Sequence, residues 1–177
     1  MCGIGGILTT SKQEDLQYRL ERMQAAMQHR GPDDSGIFLD GDNLGLAHVR
    51  LAIFDPEHGK QPLSAVNDRY TIVFNGAIYN YLELRRELTG LGHTIQSFCD
   101  TEVLLHAYIE WGESCLQKLN GMFAFCVWDS VSKTAFLARD RVGIKPLYFF
   151  ATPRQLIFAS EIKGIIASGF YQPAISS

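Results

Sequence analysis

The chain lacks long apolar runs, paired cysteines and any excess of basic charge. Its longest informative apolar stretch, Met122 to Trp128, falls far short of the roughly 20 residues a spanning helix needs, so no membrane partner is expected. The N-terminus has no basic region followed by a long apolar segment, so it does not read as a signal peptide. With no leader before Cys2, a lipoprotein cysteine is not expected either. The four cysteines, Cys2, Cys99, Cys115 and Cys126, contain no C-x-x-C pair and no zinc-like spacing. That pattern predicts reduced thiols in a cytoplasmic protein and no metal site. Sixteen Lys and Arg stand against nineteen Asp and Glu, a net charge of −3. These charges are scattered, which removes the basic stripe that nucleic acid would require.

What is present predicts one ordinary globular domain, long enough to bury a sizeable core. Cys2 to Leu8 reads as a short buried strand. Ser11-x-x-Glu14 has the form of a capping box, and Leu16, Leu20, Met23 and Met27 follow at helical spacing until Gly31-Pro32 stops the run. Ile37–Leu39, Leu44–Ala47 and Tyr70–Phe74 are strand candidates. Asn80-x-x-Glu83 opens a second helix that Gly92 ends. A third spans about Thr101 to Trp111 with Asp100 as its cap, and Ser114-x-x-Gln117 begins a short fourth. Four strand-like runs complete the pattern: Met122–Trp128, Thr134–Ala138, Pro146–Ala151 and Gln155–Ala159. The first is apolar on both alternating faces and should be covered on both sides. Helices lie in the first two-thirds and antiparallel strands at both ends, which indicates an α+β arrangement of layered sheets with helices outside.

The chemistry starts at Met1-Cys2-Gly3. Removal of an initiator methionine before a small residue would leave Cys2 with a thiol and a free α-amine. An α-amine has a reference pKa of about 7.7–8.0, close enough to neutrality to accept the thiol proton, as N-terminal nucleophile catalysis requires. The alternative is a small hydrophobe packed near a terminus. A thiol attacking an amide also needs donors for the oxyanion and a clamp for the substrate. Asn75-Gly76 offers a side-chain amide and an approachable backbone N–H, and is equally a common hairpin-turn dipeptide. Arg50 interrupts an apolar stretch, either to grip a carboxylate in bidentate fashion or as a solvated edge charge. Asp100 could cap a helix or face an ammonium group. Arg139-Asp140-Arg141-x-Gly143-x-Lys145 reads as a connector held by ion pairs.

Several blocks together resemble class II glutamine amidotransferase domains. They are Met1 to Ile7, His29-Arg30-Gly31-Pro32-Asp33-Asp34-Ser35-Gly36, Arg50 to Asp55, Gly59 to Leu63 and Asn75-Gly76-Ala77-Ile78-Tyr79-Asn80. Gly121 to Phe125, Arg139 to Tyr148 and Ser160 to Lys163 extend the series. Their order is most similar to the glutaminase domain of asparagine synthetases. The resemblance implies the four-layer αββα sandwich of N-terminal nucleophile hydrolases over 1–177. It makes Cys2 the nucleophile and Asn75 with the Gly76 N–H the oxyanion hole. Arg50 would take the glutamine α-carboxylate, Leu51 and Ile53 would line the pocket, and Asp100 would take the α-ammonium. Ala77 departs from the family, which has glutamate there, and so implies weakened glutamine binding.

No Ser-Gly-Gly-x-Asp-type nucleotide loop occurs in the chain. The resemblance therefore implies a C-terminal synthetase domain beyond Ser177, and the chain is expected to be a fragment of a longer enzyme. That second domain would use ATP and Mg, with no cofactor in this one, and a homodimer of the full-length form is compatible with the resemblance. Other readings remain open: the amide-transfer half of a lactam-forming or sugar-modifying synthase, a hydrolase of other amides, or a glutamine-binding module without catalysis.

Overall fold

A computed structural model describes residues 1–52 and 59–172. The elements run β1 (Gly3–Thr9), α1 (Leu16–Met27), β2 (Asp34–Asp40), β3 (Leu44–Arg50), β4 (Leu63–Ala65), β5 (Tyr70–Ile78), α2 (Tyr81–Gly90), α3 (Asp100–Trp111), α4 (Cys115–Lys118), β6 (Gly121–Asp129), β7 (Thr134–Arg139), β8 (Tyr148–Thr152), β9 (Gln155–Ala159) and α5 (Ile162–Ala167). They form two compact units, Met1–Leu51 with Pro146–Ser177, and Ala52–Lys145. Both sheets are antiparallel, and the α+β class expected from the sequence holds.

The first unit is a five-stranded sheet in the order β2-β3-β1-β9-β8. Alternation divides each strand between two faces. Ile7, Ala47, Val49, Ile157 and Ala159 pack against Leu16, Leu20, Met23 and Met27 of α1 and Ile165 of α5. The opposite face carries Ile4, Leu46, His48, Arg50 and Phe158, all buried as well. A Cβ on Gly45 would lie 2.3 Å from Leu20 Cδ1, so α1 sits this close only because the strand is bare there. The Ser11-x-x-Glu14 capping box does not form: α1 begins at Leu16 after Asp15, which makes no side-chain capping bond. Asp15 instead pairs with Arg19 one turn on, at 2.8 Å. Helix α5 and the short strand β4 carry too little periodicity to be read from sequence, being six and three residues long.

The second unit is a four-stranded sheet, β4-β5-β6-β7. Ile72, Phe74, Phe123, Phe125 and Val127 face Leu84 and Leu88 of α2 and Val103, Leu104 and Ala107 of α3. Ala124, Cys126 and Trp128 on the other face are also buried, as the doubly apolar run of β6 predicts. Helix α2 closes as expected around Gly92 (φ 99°), with the His93 N–H donating to Leu88 O at 3.0 Å, the left-handed terminus that glycine favours. The connector after β7 is held by side chain to backbone bonds. The Asp140 carboxylate accepts from the N–H groups of Phe123, Ile144 and Lys145 at 2.8–3.2 Å, and Arg139 donates to Gly143 O and Lys145 O. Burial alone would raise the Asp140 pKa, but these donors outweigh it and hold the carboxyl below its usual range.

Glu161, between β9 and α5, accepts from Arg30 at 2.9 Å, His29 at 3.0 Å and Lys163 at 3.1 Å. Burial opposes its charge, yet Arg30, Lys163 and His29 together bring its pKa down to about 2 from 4.5. A carboxylate whose pKa is depressed on folding adds stability above its unfolded pKa and loses it as pH falls through the folded one. Glu161→Gln should therefore flatten the loss of stability between about pH 4.5 and 2. Urea unfolding across that range checks this, and an acid limb as steep as the parent's would refute it.

Candidate active site

Cys2 stands just ahead of β1, on the sheet face that α1 and α5 do not cover. Extending the β1–β3 register, in which Gly3 lies opposite Val49, brings Cys2 opposite Arg50. The thiol of Cys2 is 3.9 Å from Leu51 O. Its carbonyl accepts from Arg30 Nε at 3.0 Å, and Arg30 NH1 reaches Glu161. Arg30 is only 8% exposed, and its NH2 has no hydrogen-bond partner among the described residues. The next turn of chain is pinned by Ser160, whose Oγ accepts from the Ile4 N–H at 2.9 Å while its own N–H donates to Ile4 O at 2.8 Å. The sequence reading named Arg30 only within a block of the family resemblance and missed this contact. Its signal was its place in the His29-Arg30-Gly31-Pro32 block.

Arg50 ends β3, the strand between β2 and β1, and is 5% exposed. The solvated-edge reading of this residue is therefore overturned. A guanidinium in a central strand is costly to desolvate unless it is held, and the local backbone is tightly held. The Asp33 N–H donates to Arg50 O at 3.0 Å, and Pro32 bridges to Arg50 in parallel. A Cβ on Gly31 would lie 2.4 Å from Arg50 N, so only glycine permits the approach. Leu51 is half-buried beside Cys2. Ile53 lies outside the described residues.

The second unit holds Asn75, Gly76, Ala77 and Asp100. Asn75-Gly76 is not a hairpin turn: both lie inside β5, with Asn75 opposite Ala124 and Gly76 opposite Phe123. Phe123 gives its N–H and its carbonyl to Asp140, so the Gly76–Phe123 pair is a non-hydrogen-bonded one. The Gly76 N–H therefore points away from β6, towards the edge that β4 covers only as far as Ile72. It has no partner among the described residues. A Cβ on Gly76 would lie 2.3 Å from Met122 O. Asn75 projects from the sheet face away from α2 and α3 and is 1% exposed, and its Nδ2 has no partner among the described residues. Two adjacent N–H donors are thus built and left unused.

Asp100 is the first residue of α3, and Cys99, not Asp100, occupies the N-cap. The Asp100 carboxylate accepts from the Ile78 N–H at 3.0 Å and lies 3.9 Å from the Cys99 thiol. Burial pushes its pKa up, only partly countered by the N–H groups of Ile78 and Thr101. Such a carboxylate gains from a cationic partner. Ala77, half-buried opposite Met122, adds no second carboxylate.

The donors' backgrounds give opposite stability expectations. Gly76→Ala should cost about 3 kcal/mol through the collision with β6. Asn75→Ala should shift stability by less than about 1 kcal/mol, since it removes a buried donor that already lacks a partner. Denaturant unfolding of both variants checks the contrast, and a large loss in Asn75→Ala would mean that its amide is a structural bond.

Comparison with known proteins identifies the family. The glutamine amidotransferase domain model matches residues 1–177. Asparagine synthetase [glutamine-hydrolyzing] 3 of Bacillus subtilis is 45% identical over 170 residues, covering 94% of this chain and 28% of its own. A putative asparagine synthetase [glutamine-hydrolyzing] 2 of Methanocaldococcus jannaschii is 40% identical over 185 residues, covering 94% of this chain and 35% of its own. The chain thus spans only about a third or less of the length of these curated relatives. Among solved structures, glutamine phosphoribosylpyrophosphate amidotransferase from B. subtilis shares the fold, with a TM-score of 0.77 over 95% of this chain and 44% of that one at 23% identity. A full-length match to the family model, on a chain whose second residue is a thiol, places it: the chain belongs to the glutamine amidotransferase domain family.

Proposed function

We propose that this domain hydrolyses L-glutamine to glutamate and ammonia through a thioester on Cys2. The observation that carries the reading is the pair of unused donors on β5, the Asn75 Nδ2 and the Gly76 N–H, in a chain that opens Met-Cys-Gly. With Met1 in place the Cys2 nitrogen is an amide and cannot accept a proton. Once Met1 is removed, the α-amine takes the thiol proton through a water, and the thiolate attacks the glutamine side-chain carbonyl. Asn75 and Gly76 hold the oxyanion, each donor contributing about 2.7–4 kcal/mol. The tetrahedral adduct collapses, the C–N bond breaks, and the departing nitrogen takes the proton back to leave as ammonia. Water then cleaves the thioester and regenerates the thiol. Arg50 and Asp100 carry the matching charges for the α-carboxylate and α-ammonium, and the family resemblance adds Leu51 and Ile53 to the residues that would line the pocket.

The relatives' names and greater lengths support a further role. Ammonia would pass to a C-terminal synthetase domain that uses ATP and Mg to convert aspartate to asparagine, in a cytoplasmic, homodimeric enzyme. Among the described residues no cluster of three or more His, Cys, Asp or Glu side chains is placed to hold a metal ion. No helix among the described residues is long and apolar enough to cross a membrane.

Cys2→Ala should abolish glutamine hydrolysis while leaving the unfolding transition in place. A preparation that keeps Met1, identified by intact mass, should be equally inert. Hydrolysis at the parent rate in either would refute the mechanism.

Ala77 favours a second reading, a glutamine-binding module with weak or no turnover. Restoring a carboxylate by Ala77→Glu should lower the KM for glutamine about ten- to a hundredfold, the equivalent of one charge-assisted hydrogen bond of about 1.5–3 kcal/mol. Steady-state kinetics measures it. An unchanged KM would show that Asp100 alone suffices.

A further inference from the structure

β5 has more N–H groups on its β4 side than β4 can satisfy. Along a strand the N–H groups alternate in direction, so those of Ile72, Phe74, Gly76 and Ile78 face the same edge. β4 pairs only as far as Leu63 opposite Ile72, which leaves three beyond its end. Two of these are taken by side chains. The Phe74 N–H donates to Gln61 Oε1 at 2.6 Å, and the Ile78 N–H to Asp100 Oδ2 at 3.0 Å. The one between them, on Gly76, has no partner among the described residues.

We propose that Gln61 is a positioning residue for the oxyanion donors, an inference that rests on the glutaminase reading above. Its side chain spans two elements. While Oε1 holds the Phe74 N–H, Nε2 donates to Thr101 Oγ1 at 3.4 Å. Phe74 precedes Asn75, and Thr101 follows Asp100. Gln61 and Asp100 therefore tie β5 to the first turn of α3 at two points four residues apart, and Asn75 and Gly76 lie between them. Glutamine suits this task because its amide offers an acceptor and a donor on one planar group. Gln61 touches no reacting atom in this scheme. It sets where the donors stand, and a misplacement of about 1 Å at such a site costs about a hundredfold in rate.

A strand-capping residue with no catalytic consequence would lower stability alone, so kinetics separate the two roles. Gln61→Leu, close in shape but unable to hydrogen-bond, should lower kcat for glutamine hydrolysis about 30- to 100-fold and leave KM within about threefold. In the same variant the Phe74 amide should exchange with solvent at least about tenfold faster. Gln61→Glu keeps the acceptor and lets the Thr101 hydroxyl donate in its turn, so kcat should return to within about threefold of the parent.

A folded Gln61→Leu variant with the parent kcat overturns the proposal, as does a Gln61→Glu variant as slow as Gln61→Leu. Where the leucine variant does not fold, Thr101→Val cuts the same tie at its helix end. A kcat loss of threefold or more then supports the role, and the parent kcat overturns it. A parent chain that cannot hydrolyse glutamine after Met1 removal sinks the glutaminase reading and this one with it. An active parent with insensitive Gln61 variants sinks the positioning role alone.

Discussion

The site depends on where β4 stops. Backbone N–H groups that lose a strand partner must find another acceptor or meet a cost, and β4 ends after three residues while β5 continues for six more beyond Ile72. The chain meets that demand unevenly. Gln61 and Asp100 satisfy the N–H groups on either side of Gly76, and the middle one has no acceptor among the described residues. An incompletely covered sheet edge is normally a hazard for unwanted pairing. Here side chains close most of it, and what stays open is one donor wide.

The first unit follows the same logic around the thiol. A nucleophile at the extreme end of a chain would fray unless its backbone were tied down. Arg30 grips the Cys2 carbonyl, Ser160 holds both polar groups of Ile4, and the Gly31 approach fixes the backbone beside Arg50. Arg30 is itself oriented by Glu161, whose depressed pKa reflects how strongly that corner favours the charged form. Cys2 is therefore held through its carbonyl and through the residues that follow it.

Local periodicity made most of the fold legible, because β1, α1, α2, α3 and β6 each bury a face that their spacing announces. The misreadings share a physical cause, in that local signals were judged without the partner strand. Asn75-Gly76 prefers a tight turn in isolation, yet Ala124 and Phe123 of β6 extend it, and the absent glycine side chain serves close approach to Met122 O. Ser11-x-x-Glu14 could cap a helix, but α1 starts at Leu16, the first residue of its buried face. The edge-charge alternative for Arg50 stayed open only because the order β2-β3-β1 cannot be read from one strand. The site residues themselves came from resemblance to a family. Arg30 and Gln61 escaped that reading because their work lies in side chain to backbone bonds, which leave no periodic trace.

The unused donors on β5 separate what the chain needs for folding from what it keeps for a ligand. A fully buried Asn75 amide without a partner is unfavourable by the measure of any hydrophobic replacement, and a carboxylate as desolvated as Asp100 is held charged only by a few N–H groups. Folding alone would not select either. Both become favourable together when an ammonium and an amide carbonyl arrive on one ligand, the two groups that an α-amino acid amide presents. On the proposed glutaminase reading, Ala77 weakens one half of that match without touching the other, since the donors on β5 are set by Gly76 and its neighbours and not by the residue that follows them. On that reading, the chain keeps the part of the site that would act on the transition state and lacks one part that would grip the ground state. Such an asymmetry lowers affinity before it lowers turnover.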